Sequence, residues 1–488
     1  MAAKGIRGGQ LRLLSEDNVK RIHHATLDAL NDVGIRLPHR QALELWADHG
    51  ARVDFDHEVV HIPEHVLSKA LALAPRRVTL YGKTPEWDVV FDAMGTVYTM
   101  GGAGALWVLD LETGQRRPST MRDLEELTRL QDALENMHIA HFLVLPQDIP
   151  QEGAEYPVFA TMLKHTRRPH HTLPGSPQCV RDQIEMAAVI AGSSEAVRQR
   201  PFFVENVCVL SPLFQPREII DQLFECARQR LPMLIEADTI AGGTAPFTIA
   251  GTLVEMNANI LSAIALAQLV NPGTPCIYSS SSGVMDMRAA MYSAAAPEST
   301  LLHMGSTQVA HYYGLPHQGG NTPDAKIPDA QMGYERASHF LALAYAGCDI
   351  IHVATGNLEM MRLASYEQCV MDNEILGACF RIVEGFEVNE DTLGVDVLRD
   401  VGHRADFIGH EQTLRYLRKT RWQPRLTSRD GWETWEAKGA KDMREVAREE
   451  VRRILSEHHP HYVTEEQAQE LDRLARAGQN RVLAGSGP

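Results

Sequence analysis

The feature that most constrains this chain is a regular alternation of short apolar segments and helical segments between residues 96 and 386. Eight runs of apolar or β-branched residues each precede a stretch with helical periodicity. This alternation is typical of α/β folds, because a crossover helix must return the chain before the next parallel strand can form. The predicted strands cover residues 97–100, 139–145, 170–173, 202–209, 233–237, 275–279, 315–318 and 349–354.

The number of these strands predicts a (β/α)8 TIM barrel over residues 96–386. A doubly wound open sheet is the alternative, because six strands suffice for it and two of the strand segments are weak. Residues 1–95 predict an N-terminal α+β segment, and residues 387–488 predict a helical C-terminal appendage. The predicted helices cover residues 120–137, 177–191, 217–230, 252–270, 297–313, 330–346 and 366–382 in the barrel and 400–419, 440–458 and 465–477 after it, with a frayed end at 483–488.

Charge and cysteine content exclude several classes of protein. The chain has 47 Lys and Arg against 63 Asp and Glu, a net charge of −16, which disfavours both nucleic acid and anionic membrane as partners. Its seven cysteines are widely spaced without a C-x-x-C motif, which favours a reducing, cytoplasmic location over a disulfide framework. The longest apolar run, 249–270, contains Glu255, Asn257 and Asn259 and predicts a buried helix rather than a membrane span.

Polar residues at predicted strand ends are the first candidates for a site, because sites in such barrels lie at the carboxyl ends of the strands. Glu236 ends one apolar run and His352 lies in another. A buried polar group needs a partner, so each residue is either a structural group or part of a ligand pocket. Glu205 and Asn206 interrupt a third strand, and the sequence does not show which of them faces inward.

No motif of the sequence indicates a metal or a nucleotide. The adjacent histidine pairs lack metal-ligand spacing, so we expect no tightly bound metal. Dinucleotide, Walker and nucleophile-elbow motifs are also missing from the sequence. Glycines near four strand ends would let the backbone approach a bulky flat ligand, with tighter turns as the alternative explanation. These candidates for cofactor binding are Gly101, Gly102, Gly319, Gly320 and Gly356.

Several segments between residues 109 and 372 share the motifs of one family. They read DLETGQRRPST (110–120), TAPFTIAGTL (244–253), LAQLVNPG (266–273), SSSS and MDMR (279–282 and 285–288), YGLP (313–316), PDAQMGYE (328–335) and SYEQCVMD (365–372). In number and order they are similar to the trimethylamine methyltransferase (MttB-like) family.

The resemblance implies a TIM barrel that moves a methyl group from an N-methylated amine to the cobalt of cobalamin, a corrinoid supplied by a partner corrinoid protein. Founding members contain pyrrolysine, whereas this chain has only standard residues and resembles the branch that acts on quaternary amines. We expect glycine betaine as substrate, with proline betaine, carnitine, a sulfonium compound or trimethylamine as alternatives. A non-catalytic barrel that binds a betaine or docks a corrinoid protein is the alternative from another class. We also expect a homo-oligomer.

The chemistry of a quaternary amine agrees with this branch. The nitrogen is already cationic and leaves as a neutral tertiary amine, so the protein's work is positioning and charge compensation. A cationic head binds ring faces or a carboxylate, and a betaine carboxylate needs a hydrogen-bond donor. The candidates are the rings of Tyr98, Trp107, Tyr278, Phe203 and Tyr366, the carboxylate of Glu236, and the donors His352, Arg288 and Asn321.

Overall fold

The computed structural model describes residues 4–403 and 406–485 and has one eight-stranded sheet at its centre. Seven of the strands run parallel, and from the second to the seventh their order in space follows their order in the chain. The first strand pairs with the last one, so the order is circular and does not reverse as it does in a doubly wound sheet. The eighth, Ile6–Arg7, pairs antiparallel with the first of the seven. The parallel strands are Thr96–Thr99, His170–Thr172, Phe203–Val209, Met233–Ala237, Cys276–Ser280, His317–Gly319 and Ile350–Ile351.

The predicted strand at 139–145 is not formed as a strand. Single parallel bridges join Ile139 to Met100 and Ala140 to His170, so this segment lies between the two outer parallel strands. Pairing is interrupted at His141, whose backbone carbonyl accepts a hydrogen bond of 2.8 Å from the side chain of Gln131, and a further single bridge joins Val144 to Ala105. A side chain from the helix layer therefore forms hydrogen bonds that a neighbouring strand would otherwise form. The central sheet is a curled α/β sheet, and this irregular segment lies between its two outer parallel strands.

Helices surround the sheet where the periodicity predicts them. Their starts follow from capping, because side chains before the first turn accept otherwise unpaired backbone N–H groups, as Thr120, Ser176, Thr248, Asp329 and Ser365 do. The helix Glu155–His165 was not predicted. The helices of this layer are Met121–Ala133, Glu155–His165, Pro177–Ala191, Ser194–Gln199, Arg217–Gln229, Ile249–Val270, Pro297–Tyr312, Ala330–Ala346 and Tyr366–Glu384.

The segments before and after this layer are mostly helical and pack on it. The N-terminal part contains the helices Glu16–Asp28, Arg40–Asp48 and Glu64–Leu71, a π-helical turn Ala29–Val33, a 3-10 turn Pro85–Trp87, and the strands Ile35–Arg36, Arg52–Asp54, Val59–His61, Val78–Leu80 and Val89–Phe91. The C-terminal helices are Glu390–Leu393, Val395–Val401, Glu411–Thr420, Trp432–Ala437, Met443–Glu457 and Glu465–Gly485.

Two of the C-terminal expectations need correction. The predicted helix 400–419 is divided between two helices, and residues 404–405 lie outside the described part of the chain. The end predicted to fray at 483–488 is helical as far as Gly485, and residues 486–488 lie outside the described part.

Two small sheets lie beyond the carboxyl ends of the central strands and shape the loops there. One joins the loop after the first strand to the loop after the last, and the other joins the loops after Met233–Ala237 and Cys276–Ser280. Because these loops are paired to one another, their positions are fixed by backbone hydrogen bonds. Their strands are Trp107–Leu109, Arg116–Pro118, Asn357–Leu358 and Leu363–Ser365 in the first sheet, and Ile240–Ala241, Gly283–Asp286 and Met291–Ser293 in the second.

The side chains inside the curled sheet form two layers. The lower layer is apolar and contains Val204, Leu234, Ile277 and Ile350. Since side chains of a strand alternate between its two faces, the residues two positions further on point to the same side. Those residues are the polar Asn206, Glu236, Ser279 and His352, so the polar layer lies at the carboxyl end, above an apolar base.

One helix of the described chain, Ile249–Val270, is long and apolar enough to cross a membrane by length and composition alone. In the structure, 83% of its most apolar window is buried. Asn257 donates to the Thr26 hydroxyl at 2.9 Å and Asn259 donates to the carbonyl of Leu210 at 2.8 Å. The prediction of a buried core helix is therefore confirmed.

A buried ion pair fixes the loop after the last parallel strand. The Arg336 side chain lies 3.1 Å from Asp372 and donates to the carbonyls of Val353 at 2.6 Å and Asn357 at 3.0 Å. Asp372 in turn accepts the backbone N–H of Gly356 at 2.8 Å. Both charged side chains are essentially inaccessible to solvent, so the pair is the internal brace of this loop.

We expect Arg336→Met to lower the free energy of unfolding by about 3–5 kcal/mol, because it leaves the Asp372 carboxylate buried without its partner. Urea unfolding of the purified protein measures this loss. The matched control is Arg399→Met, which breaks an exposed pair with Asp396 and should cost no more than about 1 kcal/mol. Equal small losses in both variants would contradict the assigned role of Arg336.

Candidate active site

A cavity of about 500 Å³ opens at the carboxyl ends of the parallel strands. This is the end at which barrel-type folds carry their functional sites. The loops and strand ends around it supply both polar and apolar side chains. Its lining residues include His141, Phe142, Leu145, Glu155, Val158, His171, Thr172, Leu173, Asn206, Glu236, Asp238, Ser281, His352 and Met361.

Two carboxyl groups on one strand end form the acidic wall of the cavity. Glu236 accepts hydrogen bonds from the Asn206 amide at 2.7 Å and the Ser281 hydroxyl at 3.0 Å. Asp238 accepts the backbone N–H of Ser281 at 2.9 Å. Burial and the neighbouring Asp238 carboxyl raise the pKa of Glu236, and burial also raises the pKa of Asp238. A cation in the cavity would favour the ionised form of both groups.

Rings without charge stand near this pair. The rings of His141 and His171 stack with centroids 4.2 Å apart, and the His352 ring lies 5.7 Å from the first and 6.1 Å from the second. Burial lowers the pKa of His141 to about 4, and it also holds the pKa values of His171 and His352 well below the ordinary value. At neutral pH these rings are therefore neutral, and with Phe142 they form an aromatic wall.

Several buried polar atoms of the cavity have no partner among the described residues. They are both ring nitrogens of His171, Nε2 of His352 and Oδ1 of Asn206. Buried polar groups are normally hydrogen-bonded. Unpaired atoms concentrated around one cavity are what a binding site for a further molecule provides.

The loop that follows His352 has a strained backbone. Glu359, Met360 and Met361 are successive non-glycine residues with φ of 48°, 53° and 67°. Such conformations are unfavourable for side chains other than glycine and persist only where surrounding structure imposes them. Here Arg116 forms an ion pair with Glu359 at 3.5 Å. The strained turn brings Met361 to the wall of the cavity.

Of the substrate-site candidates, Glu236 and His352 line the cavity. Asn321 lies behind the wall, where it donates to the carbonyls of Ser281 at 3.2 Å and Ser282 at 3.1 Å, so it positions the Ser281 loop. Arg288 is in an exposed turn away from the cavity. The sequence did not show whether Glu205 or Asn206 faces inward; in the structure Asn206 faces inward and lines the cavity.

The structure places the predicted rings elsewhere. Tyr98 lies in the apolar layer beneath the cavity, packed against Phe91 with centroids 5.6 Å apart. Tyr278 is fully buried among the helices, because its side chain points to the opposite face of the strand from the inward Ile277 and Ser279. Trp107 is half-buried and stacks on the Arg116 guanidinium at 4.3 Å. His141, Phe142 and His171, which line the cavity beside His352, were not predicted as ring candidates.

Phe203 and Tyr366, the two remaining ring candidates, also lie outside the cavity lining. Phe203 packs on the helix side against Phe159, with centroids 5.2 Å apart. The Tyr366 hydroxyl donates to Asp123 at 2.7 Å.

The five glycine candidates pack against protein. A Cβ at Gly101 would meet the Gln131 side chain, one at Gly102 would meet Asn357, and one at Gly319 would meet His317. Protein atoms also occupy the space where a Cβ would lie at Gly320 and at Gly356. Their missing side chains let chain segments approach one another, which is the tighter-turn explanation.

One group of possible cation ligands was not predicted from the spacing of residues in the sequence. Cys208, Glu236 and Asp238 each offer an atom within 4.8 Å of the others. They come from two adjacent parallel strands, so their spacing along the chain gives no metal motif. The group shows that the cavity concentrates negative or electron-rich atoms at one point.

A carboxyl group on the opposite face of the neighbouring strand provides a comparison. Glu205 points to the helix layer, both of its oxygens are buried without a partner among the described residues, and burial raises its pKa to about 8. It does not line the cavity. Glu205 is therefore a buried neutral acid that belongs to the protein interior and not to the cavity.

We expect the free energy of unfolding to fall as the pH rises from about 5 to 8, since the folded protein holds a proton on Glu205 that the unfolded chain releases. Glu205→Gln removes this titration and should reduce the loss by a few kcal/mol. Urea unfolding of both proteins at pH 5 and pH 8 measures it. Identical pH profiles for the wild-type protein and the variant would contradict the assignment.

Comparisons with known proteins agree with this architecture. The family model described as trimethylamine methyltransferase (MTTB) matches residues 3–479. The trimethylamine methyltransferase MttB of Desulfitobacterium hafniense is 34% identical over 469 residues, which cover 96% of this chain and 94% of that protein. A glycine betaine methyltransferase of the same species is 31% identical over 450 residues, which cover 92% and 93%.

A solved structure shares the fold. The crystal structure of the Methanosarcina barkeri monomethylamine methyltransferase superposes with a TM-score of 0.52 at 13% identity, covering 93% of this chain and 95% of that chain. The fold and the sequence together define an α/β methyltransferase. The chain belongs to the trimethylamine methyltransferase family.

Proposed function

We propose that this protein transfers a methyl group from a quaternary ammonium compound to the Co(I) of cobalamin carried by a separate corrinoid protein. Membership of the methyltransferase family supports the type of reaction. The observation that carries the substrate class is the cavity in which the carboxyl groups of Glu236 and Asp238 stand near four uncharged rings. Carboxylates and ring faces are the two groups that stabilise a permanent cation.

The reaction requires little acid–base catalysis by the protein. The N–CH3 bond of the donor breaks with both electrons remaining on nitrogen, so the amine leaves neutral and needs no proton. When docked, the corrinoid supplies the Co(I) nucleophile that accepts the methyl group. The residues of the cavity bind the cation and orient one methyl group toward the opening. Because the positive charge on nitrogen is lost during the reaction, Glu236 and Asp238 favour binding more than the chemical step.

The opening of the cavity fits a flat apolar macrocycle and its carrier protein. Exposed large apolar side chains project from segments that follow six different central strands. They are Leu106, Leu173, Leu210, Phe247, Met287 and Ile327. An apolar rim of this kind is typical of a surface that binds another molecule, and we assign it to the corrinoid protein.

The proposal includes the finer architecture. The parallel sheet would close as a (β/α)8 barrel through the bridges at Ile139 and Ala140, with the N-terminal segment 1–95 and the appendage 387–488 packed outside the barrel 96–386. Exposed apolar residues of the appendage, such as Val388, Ile408 and Leu414, support a homo-oligomer. The seven unpaired cysteines support a cytoplasmic location.

A panel of methylated donors tests the proposed function directly. Purified protein is incubated with Co(I) cobalamin and with glycine betaine, proline betaine, carnitine, choline, tetramethylammonium, a sulfonium compound or trimethylamine. Glycine betaine, the substrate in the name of one relative, is the first betaine to test. The proposal expects demethylation of at least one quaternary amine. Binding without demethylation of any donor would support the non-catalytic alternative instead.

We expect Glu236→Gln to weaken the binding of tetramethylammonium by about 1.5–3 kcal/mol, because a charge-assisted contact is lost from a buried site. Calorimetric titration measures the affinity. Glu205→Gln is the matched control, since it alters a buried carboxyl on the adjacent strand that faces away from the cavity. Unchanged affinity in Glu236→Gln, or equal weakening in both variants, would contradict the role of Glu236.

We expect His352→Ala to cut methyl transfer by at least about tenfold, roughly 1.4 kcal/mol of transition-state stabilisation. Its ring lines the cavity and its Nε2 atom has no partner among the described residues. Transfer to Co(I) and the melting temperature are measured together. His39→Ala, which removes a buried histidine of the N-terminal segment that does not line the cavity, is the control. Retained activity with reduced stability would assign His352 to the scaffold.

A further inference from the structure

The charged side chains around the cavity are of one sign only. Glu155, Glu236 and Asp238 line it, and among the residues that the structure describes no Lys or Arg contributes to the lining. None of the three carboxyl groups forms an ion pair within the described ranges. Uncompensated carboxylates in a partly buried space favour a cationic ligand and oppose an anionic group.

Apart from His352, the donors predicted from the sequence for a betaine carboxylate do not reach this space. Arg288 lies in an exposed turn outside the cavity. The Asn321 amide already donates to the backbone of Ser281 and Ser282 behind the wall. The donors that do line the cavity, such as the His352 and His171 rings and the Ser281 hydroxyl, carry no charge. A carboxylate in the cavity would therefore meet three carboxyl groups and no cation.

Glu155 extends the acidic lining beyond the strand end that carries Glu236 and Asp238. It is the first residue of the helix Glu155–His165, and its carboxyl lies against Gly175, where a Cβ would come within 2.5 Å of a Glu155 oxygen. The absence of a side chain at Gly175 leaves the space that this carboxyl occupies. A substrate tail that extends away from the quaternary head can therefore approach a second acidic group.

We propose that the cavity selects methylated ammonium compounds that carry no carboxylate, such as choline or tetramethylammonium, and that Glu155 is a specificity-determining residue against betaines. This inference rests on the proposed function and names the substrate class of the same site. The proposed selectivity comes from unfavourable contacts with the disfavoured substrate, because the carboxyl groups that attract the cationic head repel an anionic tail.

Matched substrates separate this inference from the proposed function. Glycine betaine and its primary amide have the same trimethylammonium head and nearly the same size, and only the first has an anionic tail. With Co(I) cobalamin as acceptor, kcat/KM should be at least tenfold higher for the amide and for choline than for glycine betaine. Equal or faster turnover of glycine betaine would overturn the inference and leave the proposed function intact. Demethylation of none of the three, and of no other quaternary amine of the donor panel, would overturn the proposed function itself.

Variants test the role of Glu155. Glu155→Gln should reduce the preference for the amide over glycine betaine by about tenfold, both in kcat/KM and in calorimetric affinities measured without corrinoid. Glu152→Gln, which changes an exposed carboxylate three residues earlier, should leave the preference unchanged. An unaltered preference in a folded Glu155→Gln protein, or the same change in both variants, would show that Glu155 does not determine specificity. Glu155→Ala provides the same test if the glutamine variant is unstable.

Discussion

The burial of the Glu236 carboxyl beside Asp238 is the interaction around which the site is organised. Removing the Glu236 carboxyl from bulk water is unfavourable unless it is hydrogen-bonded, protonated or paired with a cation, and the neighbouring Asp238 carboxyl adds to that cost. The Asn206 amide and the Ser281 loop supply hydrogen bonds, and the nearby rings supply no charge. A bound cation would supply the remaining stabilisation of the ionised carboxyl group, which is why a methylated cation suits this cavity.

The apolar lower layer and the braced loop hold that site in place. Leu234 and its neighbours on adjacent strands fill the space beneath Glu236, so the polar layer has a rigid base. On the side of the last strand, Arg336 binds two carbonyls of the loop segment that precedes the strained turn and contacts Asp372. Fold and site are thus connected through a packed base and a buried ion pair.

The sequence predicted the strand order and two cavity residues because both depend on local pattern. Glu236 and His352 are polar residues that follow apolar ones in a strand, and that pattern marks the change from the lower to the upper layer. The ring candidates were wrong because they were chosen by residue type. Tyr278 is one position from the inward face, and Tyr98 is one layer too low. The proximity of His141 and His171 depends on how the irregular segment at 139–140 pairs with His170, which no local pattern records.

The most direct measurement of the central claim is a crystal structure of the protein with choline bound. The account predicts that the quaternary nitrogen lies in the cavity at the carboxyl ends of the strands, beside the Glu236 carboxyl and within about 6 Å of the centroid of at least one lining ring. Choline bound elsewhere on the protein, or bound in this cavity with its nitrogen turned away from Glu236, would contradict the account.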